Sequence, residues 1–476
     1  MSGSSEITAE ADSESGAHGL ERALASRHVA MISIGGIIGA GLFVGSSAAI
    51  ATVGPGAVIS YLISGVLVLL SMRMLGELAI GNPEIRMFTD YARKYLGHGS
   101  GFVGGWLYWY FWMIVVAVEA LAGAIILQQF IHLPVWTIGL GLLAMLTTVN
   151  LASARFYGEF EFWFSSIKVA AILAFIVITG AYLLGLMGTP SPGFANLTAF
   201  GGFAPHGAVS MLAGVATVIF SMTGAEITTV AAAESKEPAR AVASLTTTLT
   251  VRVILFYVVS IFLIVCAVNW KTVVPGTSPF VTALAQVGIP SAKLIMNFVV
   301  LTAVLSCLNS GLYVTSRVLF ALAAFKDAPT ALVQLTRRKV PAWAILTGSA
   351  FGYGAMIASI VSPAAVFSFL VNASGAAMLF LYMLIGVAQI QYRRSISAEE
   401  ADRLPFKMWL FPALSYAVVA GIAGILATMA FIPGLKSQLF TTIIAVLFLI
   451  GVYALFRRGR YGEAQLAGQL ERSGQT

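Results

Sequence analysis

Two short stretches of this sequence interrupt long apolar runs with residues that a helix carries poorly. Gly35-Gly36-Ile37-Ile38-Gly39-Ala40-Gly41-Leu42-Phe43 places glycines throughout the first run, and Phe220-Ser221-Met222-Thr223-Gly224-Ala225-Glu226 sets small and polar residues inside another. Glycine costs about 1 kcal/mol in a helix interior relative to alanine, so both stretches invite a break. A helix broken inside a membrane exposes N–H groups and a positive dipole end that suit a carboxylate. Its unwound carbonyls accept hydrogen bonds from an ammonium. Both ends of a zwitterion are then served by backbone, which favours an amino acid as substrate. Taken alone, the first stretch has a second reading, because Gly35/Gly39 and Gly41/Gly45 also have the small-xxx-small spacing of close helix packing.

Few ionisable residues fall within the apolar runs. Lys168 lies roughly 12 Å into its run at 1.5 Å per residue. A lysine at mid-membrane costs about 2.5–3.5 kcal/mol on insertion scales. Two readings stand: an amine that snorkels to the interface, or one that loads and releases a proton or fills a cation site. Glu119 sits too deep to reach water along its own helix and is expected to partner Lys168 or the substrate ammonium. Glu226 is read first as a cap on the helix that follows it. Arg73 and Glu77 are spaced to pair along a helix, while Arg252 and Arg317 are read as snorkelling. Trp106, Tyr108, Trp109, Tyr110 and Trp112 read as an interfacial belt and packing surface. The five histidines, His18, His28, His98, His132 and His206, fall in a tail, in loops or at a span end, which argues against a histidine relay.

The elements that must position these residues are membrane helices. Hydrophobic residues make up 58% of the 476 and charged residues 10%, with a mean hydropathy of +0.90, against about 25% charged for a soluble domain. Apolar stretches of spanning length fall near 28–50, 54–79, 101–129, 135–152, 160–187, 208–233, 246–269, 290–324, 341–361, 364–391, 408–431 and 438–456. The fold class is therefore an all-α polytopic membrane protein with twelve transmembrane helices. The second interruption lies five helices after the first, and five is odd, so a five-helix repeat re-enters the membrane with inverted topology. The expected organisation is a polar cytoplasmic tail over 1–27, read as no signal peptide, a first repeat over 28–187 and an inverted second repeat over 208–391. Two extra helices over 408–456 and a cytoplasmic C-terminal tail over 457–476 follow. With both termini inside, 20 of the 27 Lys and Arg lie on the inner side and three, Lys271, Lys293 and Lys436, on the outer. Cys266 and Cys307 both sit in apolar stretches, so neither a disulfide scaffold nor a CxxC metal site is available. The scattered basic residues give no nucleic-acid surface despite a pI near 9.4. No nucleophile–base constellation points to an enzyme, and neither a selectivity filter nor a ring of charge points to a channel.

Gly35–Phe43, Tyr157-Gly158-Glu159-Phe160-Glu161-Phe162-Trp163-Phe164 and Asn309-Ser310-Gly311-Leu312-Tyr313 followed by Ser316-Arg317 resemble the bacterial amino acid permeases of the amino acid–polyamine–organocation superfamily. The resemblance runs from about His28 to Arg458. Ile38–Phe43 with Ala40 at its centre, Gly224-Ala225-Glu226-Ile227, Ala231–Ser235, Ser306-Cys307-Leu308-Asn309-Ser310 and Asn372–Ala376 are most similar to the 4-aminobutyrate (GABA) permeases within it.

This resemblance implies two inverted five-helix repeats plus two helices, and proton-coupled amino acid symport across a bacterial inner membrane. The driving force is a proton gradient, with no cofactor and no metal, and the working unit is expected to be a monomer. By motif, the N–H groups of Gly39, Ala40 and Gly41 would hold the substrate carboxylate. Carbonyls near Ile37, Phe220 and Thr223 would face the amine, and the Phe220 ring would gate the site. Ile38, Ser221 and Gly224 complete the expected substrate contacts, with Glu226, Cys307 and Tyr313 as outlying candidates. Lys168 matches a fifth-helix lysine that stands where sodium-coupled relatives place an ion, and Lys168 and Glu119 are the expected proton-coupling pair. Related readings are the same machine carrying β-alanine, an aromatic or a small neutral amino acid, and a sodium-coupled carrier, which Lys168 opposes. One segment departs from the family: Asn82-Pro83-Glu84-Ile85-Arg86-Met87-Phe88 stands where relatives carry a small Gly-Ser turn.

Overall fold

The computed structural model describes residues 38–85, 87–152, 157–233, 238–289, 291–336 and 340–456, which form helices and turns with no strand. A single helical turn, α1 (Ala40–Phe43), leads into α2 (Ser46–Val53) and, through the 3₁₀ turn Gly54–Gly56, into α3 (Ala57–Gly81). The chain continues through α4 (Phe88–Leu96), α5 (His98–Leu127), α6 (Val135–Ala152) and α7 (Tyr157–Leu183). After a loop come α8 (Gly207–Ile219), α9 (Ala225–Ala233), α10 (Pro238–Arg252) and α11 (Ser260–Ala267), with α12 (Pro279–Val287) and α13 (Ala292–Ala324) beyond. The last elements are α14 (Ala342–Ala358), α15 (Pro363–Ser395), α16 (Ala398–Arg403), α17 (Ala413–Phe431) and α18 (Pro433–Phe456).

Among the described residues, eight helical stretches are long and apolar enough to cross a bilayer, and Val135–Leu151, Gly207–Met222 and Ala342–Ala358 are shorter apolar helices. Several helices outrun the apolar stretches that predict them. Helix α5 begins at His98 rather than at 101, α10 at Pro238 rather than at 246, and α15 continues to Ser395 rather than 391. Hydropathy marks only the part at hydrocarbon depth, whereas backbone hydrogen bonding carries a helix into its polar flanks.

Helix α5 is the centre of the molecule. Its apolar window is 83% buried, against 17% for α18, and it packs along α13, α15, α14 and α6. This position accounts for the packing role of its aromatic cluster. Tyr108 and Trp112 are buried and Trp106, Trp109 and Tyr110 half-buried, so the cluster is a packing surface. The Tyr108 ring meets Phe88 edge-on at 4.6 Å between centroids, and Trp106 meets Trp109 at 5.4 Å. Arg252 likewise is buried rather than snorkelling. Arg73 lies over the rings of Phe406 and Trp409, while Glu77 accepts from Gln389 and from the Met408 N–H and lies 3.6 Å from Arg393.

The atypical segment after α3 anchors α4, an amphipathic helix the hydropathy pattern hides in a loop. Phe88, Tyr91 and Ala92 supply its buried i, i+3, i+4 face, and Gly97 at φ 94° ends it. The Asn82 amide donates to the Leu78 carbonyl, and its oxygen accepts from Lys94 at 2.6 Å and from Tyr95. Lys94 also bonds Glu84 at 2.8 Å; that hydrogen bond holds the Glu84 carboxyl below its ordinary range and the Lys94 amine above its own. The partly buried Arg93 binds Asp327, just past α13, at 2.7 Å and Asp90 at 3.2 Å. Burial pulls the Arg93 guanidinium down, but Asp327 and Asp90 outweigh it and leave it more basic than usual.

Helices α8 and α15 approach so closely that a Cβ on Gly375 would lie 1.6 Å from the Ala216 carbonyl oxygen. Gly375→Ala must push the helices apart, with an expected loss of about 1–3 kcal/mol. The thermal unfolding midpoint of the purified variant in detergent should fall clearly below wild type. An unchanged midpoint would show that the helices part without cost.

Candidate functional site

Both sequence interruptions are irregular in the folded chain, and they meet. Ile38 and Gly39 are non-helical before α1, and the chain kinks again at Val44–Gly45 before α2. In the second interruption α8 tightens into a 3₁₀ turn at Phe220–Met222, Thr223 is extended at φ −70°, ψ 159°, and Gly224 stands at φ 97°. That positive φ is the conformation glycine adopts without a Cβ penalty, and it separates α8 from α9. Side chains satisfy much of the opened backbone. Thr223 Oγ1 donates to the Phe220 carbonyl at 2.8 Å and Ser221 Oγ to Val218 at 2.7 Å, while Ser46 Oγ donates to Leu42 at 2.6 Å. A seven-residue π-helical segment, Val253–Val259, between α10 and α11 carries Tyr257, whose hydroxyl donates to the Ser221 carbonyl at 2.7 Å.

Glycine makes the junction possible. A Cβ on Gly41 would lie 2.6 Å from Ser221 Cα and 3.3 Å from the Phe220 ring. A Cβ on Gly39 would lie 2.3 Å from Cys307 Sγ and 2.8 Å from a Glu119 carboxylate oxygen. The first interruption is thus pressed against the second on one side and against α5 and α13 on the other.

Buried polar side chains converge there. Both Glu119 carboxylate oxygens accept from the Ala40 N–H at 3.1 Å. Lys168, fully buried on α7, donates to Ser306 Oγ on α13 at 2.9 Å and lies 3.9 Å from Cys307 Sγ. Lys168 is also close enough to act on Glu119 through charge. Ile38, Gly39, Ala40, Gly41, Phe220, Ser221, Thr223, Lys168, Glu119 and Cys307 are therefore buried around one junction. Ile37 lies outside the described residues. Tyr313 is separate: it follows Cys307 by six residues, about 9 Å along the helix, and its ring stacks under the Arg317 guanidinium at 4.4 Å.

Glu226 marks the far side of the second interruption, in the first turn of α9. Its carboxylate accepts from the Gly224 N–H at 2.9 and 3.1 Å, from the Tyr108 hydroxyl at 3.2 Å and from Tyr382 at 3.5 Å. Helices α5, α9 and α15 therefore share one buried carboxylate.

Sequence reasoning missed Ser306, Tyr108, Tyr257 and Tyr382. Two of them left a signal. Ser306 adjoins Cys307 in the eighth apolar run, where a buried lysine would seek an acceptor. Tyr108 is eleven residues, three helical turns, from Glu119, so both project from one face of α5. Among the described residues no group of three or more His, Cys, Asp or Glu side chains is gathered as a metal site would need.

Comparison with known proteins converges on one family. The profile of the family described as "Amino acid permease" matches residues 28–462. The chain is 46% identical over 451 residues to the gamma-aminobutyric acid permease of Bacillus subtilis (strain 168), covering 94% of this chain and 96% of that protein. It is 42% identical to a probable GABA permease of Pseudomonas aeruginosa, over 92% of this chain and 94% of the relative. Against the gamma-aminobutyric acid permease of Escherichia coli (strain K12) the identity is 40%, over 89% and 92%.

Gly39→Ala tests the junction. The added methyl must displace Cys307 or Glu119, and a shift of about 1 Å at a reacting or binding centre costs on the order of 10²-fold. Amino acid uptake by the reconstituted variant should fall by that order. Gly180→Ala on α7, where a Cβ meets nothing within 4 Å, should leave uptake unchanged. Equal uptake by both variants would remove the junction from the transport path.

Proposed function

The chain belongs to the amino acid permease family, multi-pass membrane transporters of amino acids rather than enzymes, and from that premise we propose that it imports 4-aminobutyrate by proton-coupled symport. The observation that carries this reading is the junction itself: two interrupted helices in backbone contact, flanked by a buried lysine and a buried glutamate. Backbone N–H groups at Gly39, Ala40 and Gly41 receive the substrate carboxylate. The unwound carbonyls around Phe220 and Thr223 receive the ammonium, and the Phe220 ring beside Gly41 gates the site.

Lys168 and Glu119 couple transport to protons. An ammonium bonded to a serine hydroxyl at this depth opposes a sodium ion in the same place, and proton traffic needs a titratable group at membrane depth. Transport by alternating access follows from two inverted five-helix repeats moving about a fixed midplane site. The reading of twelve crossings draws support from the long apolar helices, from the three shorter ones and from the run Ala40–Gly81, which covers parts of two predicted spans. The protein would act as a monomer in a bacterial inner membrane with both termini in the cytoplasm. The relatives named for GABA favour that substrate, whose charges are separated by three methylenes. β-Alanine, shorter by one methylene, is the nearest competitor.

Uptake of labelled GABA into proteoliposomes under an inward proton or an inward sodium gradient tests the reading. Proton-driven uptake blocked by β-alanine but not by phenylalanine or alanine is expected. Sodium-driven uptake would overturn the coupling mechanism, and proton-driven uptake of another amino acid alone would overturn the substrate. Lys168→Ala should abolish proton-driven accumulation while retaining exchange of GABA across the membrane. Full accumulation by that variant would remove Lys168 from coupling.

A further inference from the structure

The Ala40 N–H, one of the groups assigned above to the substrate carboxylate, already carries a carboxylate. Both Glu119 oxygens lie 3.1 Å from it, and Glu119 is 2% exposed. Gly39 has no Cβ to hold that carboxylate off. We propose that Glu119 is a tethered stand-in for the substrate carboxylate, bound to the Ala40 N–H in the unloaded carrier and displaced when an amino acid binds. The proposal rests on the substrate-carboxylate reading above and deepens it.

Two carboxylates cannot share this N–H. They compete for its volume, and like charges repel strongly where solvent is excluded. An ionised carboxylate is a strong acceptor of a backbone N–H. Once protonated, Glu119 loses its charge and becomes a donor with reduced acceptor capacity. Substrate loading is then a balanced exchange. The N–H···O bond to Glu119 breaks, the bond to the substrate carboxylate forms, and one proton remains on Glu119. Substrate and proton would enter together because they answer the same vacancy. Among the described residues, the groups around Glu119 are the Ala40 N–H from α1, Lys168 from α7 and Cys307 from α13 across Gly39. Within a turn on either side of Glu119 its own helix carries only apolar residues and glycine.

The test uses ligands that each keep one end of GABA. Butyrate has only the carboxylate and butylamine only the ammonium, and each competes with labelled GABA for the purified full-length carrier across a pH range in which butyrate stays ionised. In the wild type, butyrate competition should strengthen as pH falls, approaching roughly tenfold per pH unit for a one-proton exchange. In Glu119→Gln it should lose that pH dependence and exceed wild type at alkaline pH, with butylamine competition unchanged. Glu119→Asp, too short to hold the N–H in the same way, is the second variant and should match Glu119→Gln at alkaline pH.

A flat wild-type butyrate profile overturns the proposal without any variant. So does a pH dependence that persists in Glu119→Gln, which would assign it to Lys168. Weakened butylamine competition with butyrate unaffected would make Glu119 the ammonium partner instead. Loss of both ligands at every pH by a monodisperse variant would make it a structural support. If the wild type binds no GABA, the substrate assignment fails separately, and labelled alanine with propionate and ethylamine replaces the trio.

Discussion

Every backbone polar group at membrane depth must find a partner inside the protein, because the hydrocarbon offers none. A continuous helix meets this demand by itself; a broken one does not. The interruptions at Ile38–Gly45 and Phe220–Gly224 are therefore possible only because their surroundings supply the missing partners. Thr223, Ser221 and Ser46 return their hydroxyls to carbonyls within their own segments. Tyr257 and Glu119 reach in from other helices to a carbonyl and an N–H. The two breaks are held from outside by complementary chemistry: Tyr257 brings a donor to the second and Glu119 an acceptor to the first.

The same constraint governs the buried charges. Lys168 is held by Ser306, and Glu226 by one N–H and two tyrosines. In both arrangements the hydrogen bonds to the charged group come from neutral dipoles. The α4 end of the molecule is built otherwise. There Arg93 is bound directly to Asp327 and Asp90, and Lys94 to Glu84. Removing one member of a partly buried pair leaves the other uncompensated. The Arg93–Asp327 pair thereby ties α4 to the end of α13.

Much of this was legible in the residues. The helical class followed from composition, and the two interruptions from glycine and small polar residues at mid-run. Lys168 and Glu119 stood out because charge at that depth is costly. Helix α4 was hidden because its apolar residues fill only one face and never form a run. The partners of the buried charges were hidden for a different reason. Hydroxyls of Ser306, Tyr108, Tyr257 and Tyr382 look ordinary in sequence and gain meaning only when helices distant in the chain are packed together. The aromatic cluster on α5 was legible as a packing surface, but which rings are enclosed was not: tryptophan and tyrosine suit an interface and a core equally well, and only packing buries Tyr108 and Trp112.

Helix α5 ties the two interruptions to each other. Glu119 reaches the first from one end of its face, and Tyr108, about 16 Å away along the helix, reaches Glu226 beyond the second. The first contact is a carboxylate on α5 meeting an N–H of a broken helix. The second is its mirror in chemistry, a carboxylate on the broken helix meeting a hydroxyl on α5. Helix α5 is also the most enclosed of the long apolar helices, pinned by α13 and α15. It is therefore the element least free to follow when α1 or α9 shifts. A shift of either broken helix against α5 would stretch the carboxylate contact at that break. Helix α5 is thus the element that anchors both breaks, through one carboxylate contact at each.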